Sequence, residues 1–178
     1  LRMDLHVHTP ASKCFVRNPS FDEQAEYLDI LDKAIEKDIR IIAITDHNTF
    51  AGYKKLRQIL DKMKKNDAER YWSNKYRQIY ILPGIEISNF GKHFLGIFSP
   101  ESFEFSPMDA FLHEIGIEVD EQGEKNAEAF RVTPVVLLEK IHALGGLAII
   151  PHADSLSGFL KGYLDTNGQD NKLQGKSI

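Results

Sequence analysis

The sequence predicts an α/β fold in which strands and amphipathic helices alternate along the chain. Residues 1–7 alternate apolar and polar side chains with the period of two that is typical of a strand. Residues 39–45 form an apolar, largely β-branched run that indicates a buried strand. Between residues 53 and 63, apolar side chains recur at helical spacing. Such strand-then-helix units favour a parallel sheet, either open or closed into a barrel.

The length and composition are typical of a single soluble domain. The 178 residues can bury a substantial core, and their 42% hydrophobic content is ordinary for a globular protein. No apolar run approaches the roughly 20 residues that cross a bilayer, so we expect no membrane span. The first residues lack a signal-peptide pattern, and Cys14 as the single cysteine excludes an intrachain disulfide. We therefore expect a cytoplasmic protein.

The net charge of -4 argues against a surface dominated by phosphate-binding lysines and arginines. The basic stretches at residues 54–57 and 62–65 are interpreted as solvated helix faces. A nucleic-acid substrate stays open, because bound divalent cations would offset much of the acidic charge inside a site.

The first two helices can be placed from their caps and apolar faces. We expect the first helix to begin after Ser20, because Ser20 and Glu23 have capping-box spacing, and to end near Lys37. A second helix should follow the strand at residues 39–45, and residues 66–78 predict a loop or a frayed helix end. The inward side chains of the second helix are predicted to be Tyr53, Leu56, Ile59, Leu60 and Met63.

The middle of the chain predicts three short strands. Residues 79–82 and 85–88 are apolar, and Pro83-Gly84 between them indicates a break. Residues 89–92 predict a tight hairpin turn leading into a third strand at residues 93–98.

The last third is less regular. Residues 100–133 have no clear period apart from a short helix predicted at 108–115. A helix is predicted at residues 133–144, because threonine followed by proline is a typical helix start and glycines follow its end. A strand at 147–150 follows, and the polar residues 156–178 predict a loop.

Polar side chains with metal-binding capacity cluster where predicted strands end. In parallel α/β folds, functional residues collect at the carboxyl ends of the strands. Four such clusters are present: His6 with His8, Asp46 with His47, Glu86, and His152.

His6 and His8 should project side by side from one face of the first strand. Such a pair can chelate one metal ion or two adjacent ions, with Asp4 as a hydrogen-bond acceptor that orients an imidazole. The alternative is a pair of exposed histidines on an edge strand. Asp46 and His47 should both emerge at a strand end, although a helix cap beside a surface histidine would give the same pattern.

Glu86 lies between two isoleucines in a strand expected to be half-buried. Burying an unpaired carboxylate is costly, so Glu86 needs either a metal ion or a salt bridge. His93 is predicted across the hairpin from Glu86, and His152 follows an apolar strand, so both could face the same site. His113 and His142 fall inside predicted helices and are interpreted as structural or surface residues.

Cys14 has two interpretations. Single cysteines are commonly small buried hydrophobes. Its place six residues after His8, in the loop above the first strand, would also suit a thiolate metal ligand or a residue that guards the site.

Taken together, these residues resemble the polymerase and histidinol phosphatase (PHP) family. The resemblance covers residues 4–152 in the order of that family's motifs. The matching segments are Asp4-Leu5-His6-Val7-His8-Thr9, Thr45-Asp46-His47-Asn48, Pro83-Gly84-Ile85-Glu86-Ile87, His93-Phe94-Leu95-Gly96-Ile97 and Pro151-His152.

The resemblance implies a distorted seven-stranded (β/α) barrel with two or three divalent ions, manganese, zinc or iron, at its carboxyl face. By position, Glu86 would bridge two metals. The other implied ligands are His6 and His8 for the first metal, His93 and His152 for the second, and His47, with Cys14 where some members have histidine, for the third. Glu86, His152 and Asp46 are expected to take part in catalysis.

The family closes its site with a late Asp-x-His motif, and no such motif follows His152. We therefore expect residues 1–155 to be the N-terminal portion of an incomplete PHP barrel, and residues 156–178 to be a loop or the beginning of its remainder. The segments from Asp4 to Cys14 and from Asp46 to Thr49 are most similar to PHP domains fused to SMC-like ATPases. That similarity makes an ATPase domain in the same full-length protein an expected partner.

The expected function is metal-dependent hydrolysis of a phosphoester, by a nuclease or phosphodiesterase acting on DNA or RNA. Two alternatives stay open. One is a small-metabolite phosphatase of the histidinol-phosphatase type. The other is a catalytically inactive metal-binding domain of a larger ATPase.

Overall fold

A computed structural model of the chain describes residues 1–65 and 76–153. The predicted loop at residues 156–178, and all but the last three residues of the one at 66–78, lie outside the described residues. In chain order the elements are β1 (Arg2–Val7), α1 (Glu23–Glu36), β2 (Ile39–Ile44), α2 (Ala51–Lys65), β3 (Tyr80–Asn89), β4 (Lys92–Ile97), α3 (Phe105–Ile115), a short 3-10 turn (Val119–Glu121), α4 (Pro134–Ala143) and β5 (Leu147–Ile149).

The fold is mixed α/β, and the described ranges contain five strands in the sheet order β1-β2-β3-β4-β5. The first three strands are parallel, whereas β4 pairs antiparallel with both β3 and β5. The predicted parallel sheet therefore holds for the first three strands only, because a two-residue turn joins β3 to β4 and makes them antiparallel. The seven-stranded barrel stays a prediction.

The strand β3 runs unbroken through Pro83 and Gly84, so the predicted break there is wrong. Its first half pairs with β2 as far as Pro83, and its second half pairs with β4 from Gly84 onwards. Proline is tolerated because it lies where the strand changes partner. Gly84 is required for close approach, since a Cβ there would lie 2.8 Å from Thr45 Cγ2.

The predicted hairpin turn is confirmed. Asn89 pairs with Lys92 across a two-residue turn. Phe90 and Gly91 in that turn have φ angles of 52° and 70°. Two successive positive φ angles are typical of the turn whose twist matches that of a hairpin.

The caps decide where the helices begin. Asp22, rather than the predicted Ser20, caps α1, because its side chain accepts a hydrogen bond of 2.7 Å from Ala25 N. The helix predicted at residues 133–144 is confirmed: Thr133 caps it by accepting a hydrogen bond from Val136 N, and Gly145 follows its end with a φ of 76°.

The two larger of the three apolar clusters among the described residues pack around the sheet. The first joins α1 and α2 to β2 around Leu31, Ile44 and Leu56, and the second joins α3 and α4 to β3 and β4 around Ile85 and Ile141. Burial of each such side chain contributes about 1.5–3 kcal/mol. The five side chains predicted to face inward from α2 are all buried, and His113 and His142 are exposed as expected.

Within the described part of the chain, none of the helices combines the length and apolarity that crossing a membrane would require.

Gly84→Ala should lower the free energy of unfolding by about 1–3 kcal/mol, because overpacking displaces neighbours. The added methyl would lie 3.0 Å from the backbone oxygen of Ile44 as well as against Thr45. Urea denaturation measures the change. Gly91→Asn is the matched control, since nothing lies within 4 Å of a Cβ there and asparagine tolerates a positive φ. Equal effects of the two substitutions would contradict the close packing at β3.

Candidate metal centre

The site is built around one buried carboxylate, that of Glu86 in β3. Glu86 is 1% exposed. Beyond the end of β2, the chain continues to pair with β3: Glu86 N donates to Asp46 O at 3.0 Å, and Asn48 N donates to Glu86 O at 2.8 Å. This extension of the parallel ladder sets His47 directly beside Glu86.

The other neighbours of Glu86 come from strands on both sides of β3. The alternation of β1 sends His6 and His8 to the same face, at the carboxyl end of that strand. His93 lies in β4 opposite Ser88, which makes it the diagonal neighbour of Glu86 on the same face. His152 follows β5. The structure thus brings together all five histidines predicted for the site.

Each carboxylate oxygen has its own group of imidazole neighbours. The distances from Glu86 Oε2 are 3.1 Å to His6 Nε2, 3.2 Å to His8 Nε2 and 3.3 Å to His47 Nδ1. Those from Glu86 Oε1 are 2.7 Å to His93 Nδ1 and 3.4 Å to His152 Nε2. The two ends of one carboxylate therefore face two separate sets of ring nitrogens.

Most of these atom pairs lie at hydrogen-bond distances, but their angles do not meet the geometry of a hydrogen bond. His6 Nε2, His47 Nδ1, His93 Nδ1 and Glu86 Oε2 are all buried, and none has a hydrogen-bond partner among the described residues. Unpaired buried polar atoms are costly, so their convergence needs an explanation. Metal cations would satisfy them together, because imidazole nitrogens and carboxylate oxygens are common metal ligands. The donor set therefore fits divalent metal.

The charges at the site favour the same interpretation. Burial alone would raise the pKa of the Glu86 carboxyl, but contacts with the rings of His6, His8 and His93 lower that pKa overall. Burial lowers the pKa of His47 to about 4, although the nearby Glu86 opposes the shift. At neutral pH the centre thus holds an anionic carboxylate beside a neutral His47 imidazole, which are the ligand forms that bind metal.

Among the described residues, two groups of three ligands meet the geometric requirement for holding an ion. In each group the donor atoms all lie within 4.8 Å of one another. One group is His6, His8 and Glu86, and the other is Glu86, His93 and His152. Glu86 belongs to both, as expected for a carboxylate shared between two ions.

Asp46, predicted to be catalytic, binds the loop after β1 with its carboxylate. Asp46 Oδ1 accepts hydrogen bonds of 2.7 Å from Thr9 N and Ser12 Oγ, and Asp46 Oδ2 accepts one of 2.7 Å from Thr9 Oγ1. Burial raises the pKa of this carboxyl, and the hydrogen bonds from Thr9 and Ser12 oppose that shift. A Cβ on Gly52 would lie 1.8 Å from Asp46 Oδ2, so the start of α2 also depends on this packing.

Two further sequence-based expectations have a different outcome in the structure. Asp4 Oδ1 accepts a hydrogen bond of 3.1 Å from the backbone N–H of His6 rather than from an imidazole ring. Cys14 is exposed, so its interpretation as a buried hydrophobe is wrong. Among the described residues, neither group of metal ligands includes Cys14.

Sequence reasoning missed Thr9 and Ser12 as parts of the site. Both are buried hydroxyl residues in the loop between β1 and α1. The signal that could have found them is a pair of small hydroxyl residues soon after the two histidines, since the second ring nitrogen of a metal-binding histidine almost always donates to a nearby oxygen.

No protein-family model matches the chain, and no curated protein does. Similar solved structures include an amidohydrolase from Chromobacterium violaceum with bound sulfate and no metal, 24% identical over 65% of this chain and 33% of that one, with a TM-score of 0.39. A two-domain protein from Bacteroides vulgatus, containing a predicted PHP-like metal-dependent phosphoesterase, is 16% identical over 83% of this chain and 34% of that one, with a TM-score of 0.43.

A protein from Bifidobacterium adolescentis that is predicted to be a metal-dependent phosphoesterase is 17% identical over 80% of this chain and 50% of that one, with a TM-score of 0.37. The chain thus spans between a third and a half of the length of these three structures.

Metal binding should stabilise the protein through Glu86. With Zn²⁺ or Mn²⁺ at 100 times its dissociation constant, the expected stabilisation is about 2.7 kcal/mol, measured as a rise in Tm. Glu86→Gln should abolish that rise, because a neutral amide cannot replace the shared carboxylate. Glu114→Gln, on an exposed residue of α3, is the control and should keep it. An undiminished rise in the Glu86 variant would contradict the site.

Proposed function

We propose that this chain hydrolyses phosphoester bonds with divalent metal ions held around Glu86. The observation that carries the proposal is the buried Glu86 carboxylate, whose two oxygens face two separate groups of histidines. A carboxylate shared in this way is typical of sites that hold two ions side by side, the arrangement used by many phosphatases and nucleases.

The proposed metal ligands would fall into two sets, one at each oxygen of the Glu86 carboxylate. His6, His8 and His47 would hold metal at Oε2, and His93 and His152 would hold it at Oε1. The bound cations would supply Lewis acidity and a water whose pKa falls towards about 7. The protein's own part is to keep the carboxylate anionic and the imidazoles directed inward.

His152 is the residue best placed to meet a substrate. Its side chain is 31% exposed, more than those of the other four histidines. Its φ of 33° is uncommon for a residue other than glycine. Strained backbone of this kind clusters at functional sites, where the surroundings hold it in place. We infer that His152 contacts the phosphoryl group as well as metal.

A positive charge close to the cluster suits an anionic substrate. The side chain of Lys125 is exposed, and its backbone oxygen accepts a hydrogen bond of 3.2 Å from the hydroxyl of Ser88, the β3 residue opposite His93. We infer that Lys125 contacts a phosphate of the substrate. The substrate class that we propose is a phosphodiester of DNA or RNA, because the side chains of His6, His8 and His152 are 28%, 27% and 31% exposed and so leave one side of the site open to a long chain.

Activity with model substrates tests the function. With Mn²⁺ or Zn²⁺, the protein should hydrolyse bis(p-nitrophenyl) phosphate. Glu86→Ala and His6→Ala should lower kcat/KM by more than the ~10–100-fold typical for residues that only support a metal ligand. Glu114→Ala should retain full activity. Full turnover by a folded Glu86→Ala protein would sink the proposal.

The other outcomes separate the remaining candidates. Cleavage of p-nitrophenyl phosphate without cleavage of the bis-ester would favour a small-metabolite phosphatase. Metal binding without cleavage of either substrate would favour an inactive metal-binding domain.

Lys125→Ala should raise KM for the bis-ester about two- to fivefold with little change in kcat, since an exposed charge contact is worth up to ~1 kcal/mol. Added salt should weaken the effect of the substitution, because salt screens exposed charges. Lys62→Ala, in the last turn of α2, is the matched control. An unchanged KM in the Lys125 variant would mean that this lysine does not contact substrate.

A further inference from the structure

Ser12 occupies a central position among the groups that support the metal ligands. It is 1% exposed and lies in the loop after β1. Its hydroxyl oxygen lies 2.7 Å from Asp46 Oδ1, 3.0 Å from His47 N and 3.2 Å from His8 Nδ1. One hydroxyl therefore contacts an aspartate, the backbone beside one histidine ligand and the ring of another.

Hydrogen-bond accounting at this hydroxyl determines its direction. A serine hydroxyl has one proton to donate and two lone pairs that accept. The backbone N–H of His47 can only donate, so it uses one lone pair. Asp46 Oδ1 accepts one hydrogen bond from the Thr9 backbone N–H and another from the Ser12 hydroxyl, which uses the single serine proton. The one remaining lone pair faces His8 Nδ1.

His8 must therefore carry a proton on Nδ1. A neutral histidine with its proton on Nδ1 presents the lone pair of Nε2 as its ligand atom. His8 Nε2 is the atom that lies 3.2 Å from Glu86 Oε2, in the centre of the proposed metal site. The tautomer that Ser12 imposes is thus the one required for binding metal through Nε2.

We propose that Ser12 is a positioning residue that fixes the tautomer and ring orientation of His8, and that Asp46 orients the Ser12 hydroxyl. The value of this arrangement for metal binding rests on the proposed function, whereas the tautomer itself does not. Asp46 then acts on the site through Ser12 and is not a catalytic residue. The same hydroxyl also holds the backbone of His47, so two ligands from different strands depend on it.

The anchoring of Asp46 supports its role as a fixed acceptor. Asp46 Oδ2 accepts a hydrogen bond from the hydroxyl of Thr9, and that hydroxyl also lies 3.4 Å from Tyr27 Oη. The backbone N–H of Ala11 also donates to Thr9 Oγ1, at 3.2 Å. With Asp46 held in this way, rotation of the Ser12 hydroxyl towards His8 would break its hydrogen bond to the carboxylate.

The test is ¹⁵N NMR of the histidine side chains, first in the metal-free protein and then with Zn²⁺. The wild-type protein should show His8 with a hydrogen-bonded Nδ1–H that exchanges slowly with water. Ser12→Ala should lose that protected proton and shift the neutral ring towards the Nε2–H form. Zinc affinity, measured by calorimetry, should fall ~10–100-fold, the usual effect of losing a group that orients a metal ligand.

Two variants separate positioning from a general effect on folding. Ser12→Thr keeps a hydroxyl and should restore the protected Nδ1–H. Ser88→Ala removes another buried serine hydroxyl, one that bonds to the backbone oxygen of Lys125, and should leave His8 unchanged. Thermal denaturation of each variant shows whether it is folded.

The outcomes distinguish this inference from the proposed function. A wild-type His8 with its proton on Nε2, or a folded Ser12→Ala protein with an unaltered His8 signal, would overturn the role of Ser12. If the wild-type protein bound no zinc, the proposed function would fail, and the metal-free spectra would still decide the tautomer of His8.

Discussion

The buried carboxylate of Glu86 is the constraint on which the rest of the site depends. A carboxylate that is 1% exposed is stable only where other groups compensate its charge. Here five imidazoles converge on it from four separate parts of the chain, and several of their nitrogens lack hydrogen bonds to the described residues. A bound cation would compensate the carboxylate and satisfy these nitrogens together, which agrees with the proposed role of Glu86 as a metal ligand.

Pairing on both edges of β3 is what makes this convergence possible. On one edge, the residues after β2 extend the parallel ladder and set His47 beside Glu86. On the other edge, β4 pairs antiparallel from Gly84 onwards and brings His93 to the same face. Gly84, where the pairing with β4 begins, packs closely against Ile44, Thr45 and Gly96 on these two edges.

The sequence predicted the parts of the structure that local chemistry controls. Alternation in β1 put His6 and His8 on one face, and the turn at residues 89–92 implied the hairpin that brings His93 back. It did not predict the continuity of β3, because proline usually breaks a strand and the exception depends on a neighbour that changes at that residue. Asp22 rather than Ser20 caps α1, because aspartate and serine can both cap a helix and only the path of the chain decides between them. The bond between Ser12 and Asp46 joins residues 34 positions apart, for which no local pattern exists.

The site therefore has two groups of residues with opposite hydrogen-bonding requirements. To bind metal as proposed, the histidines around Glu86 need available lone pairs, so a hydrogen bond to those atoms would compete with metal. The hydroxyl and carboxylate groups of Thr9, Ser12 and Asp46 need the opposite, a full set of hydrogen bonds, because they are buried. His8 belongs to both groups, because its Nδ1 contacts the Ser12 hydroxyl and its Nε2 faces the proposed metal site. Fixing one atom of a ring is a way to keep its other atom available.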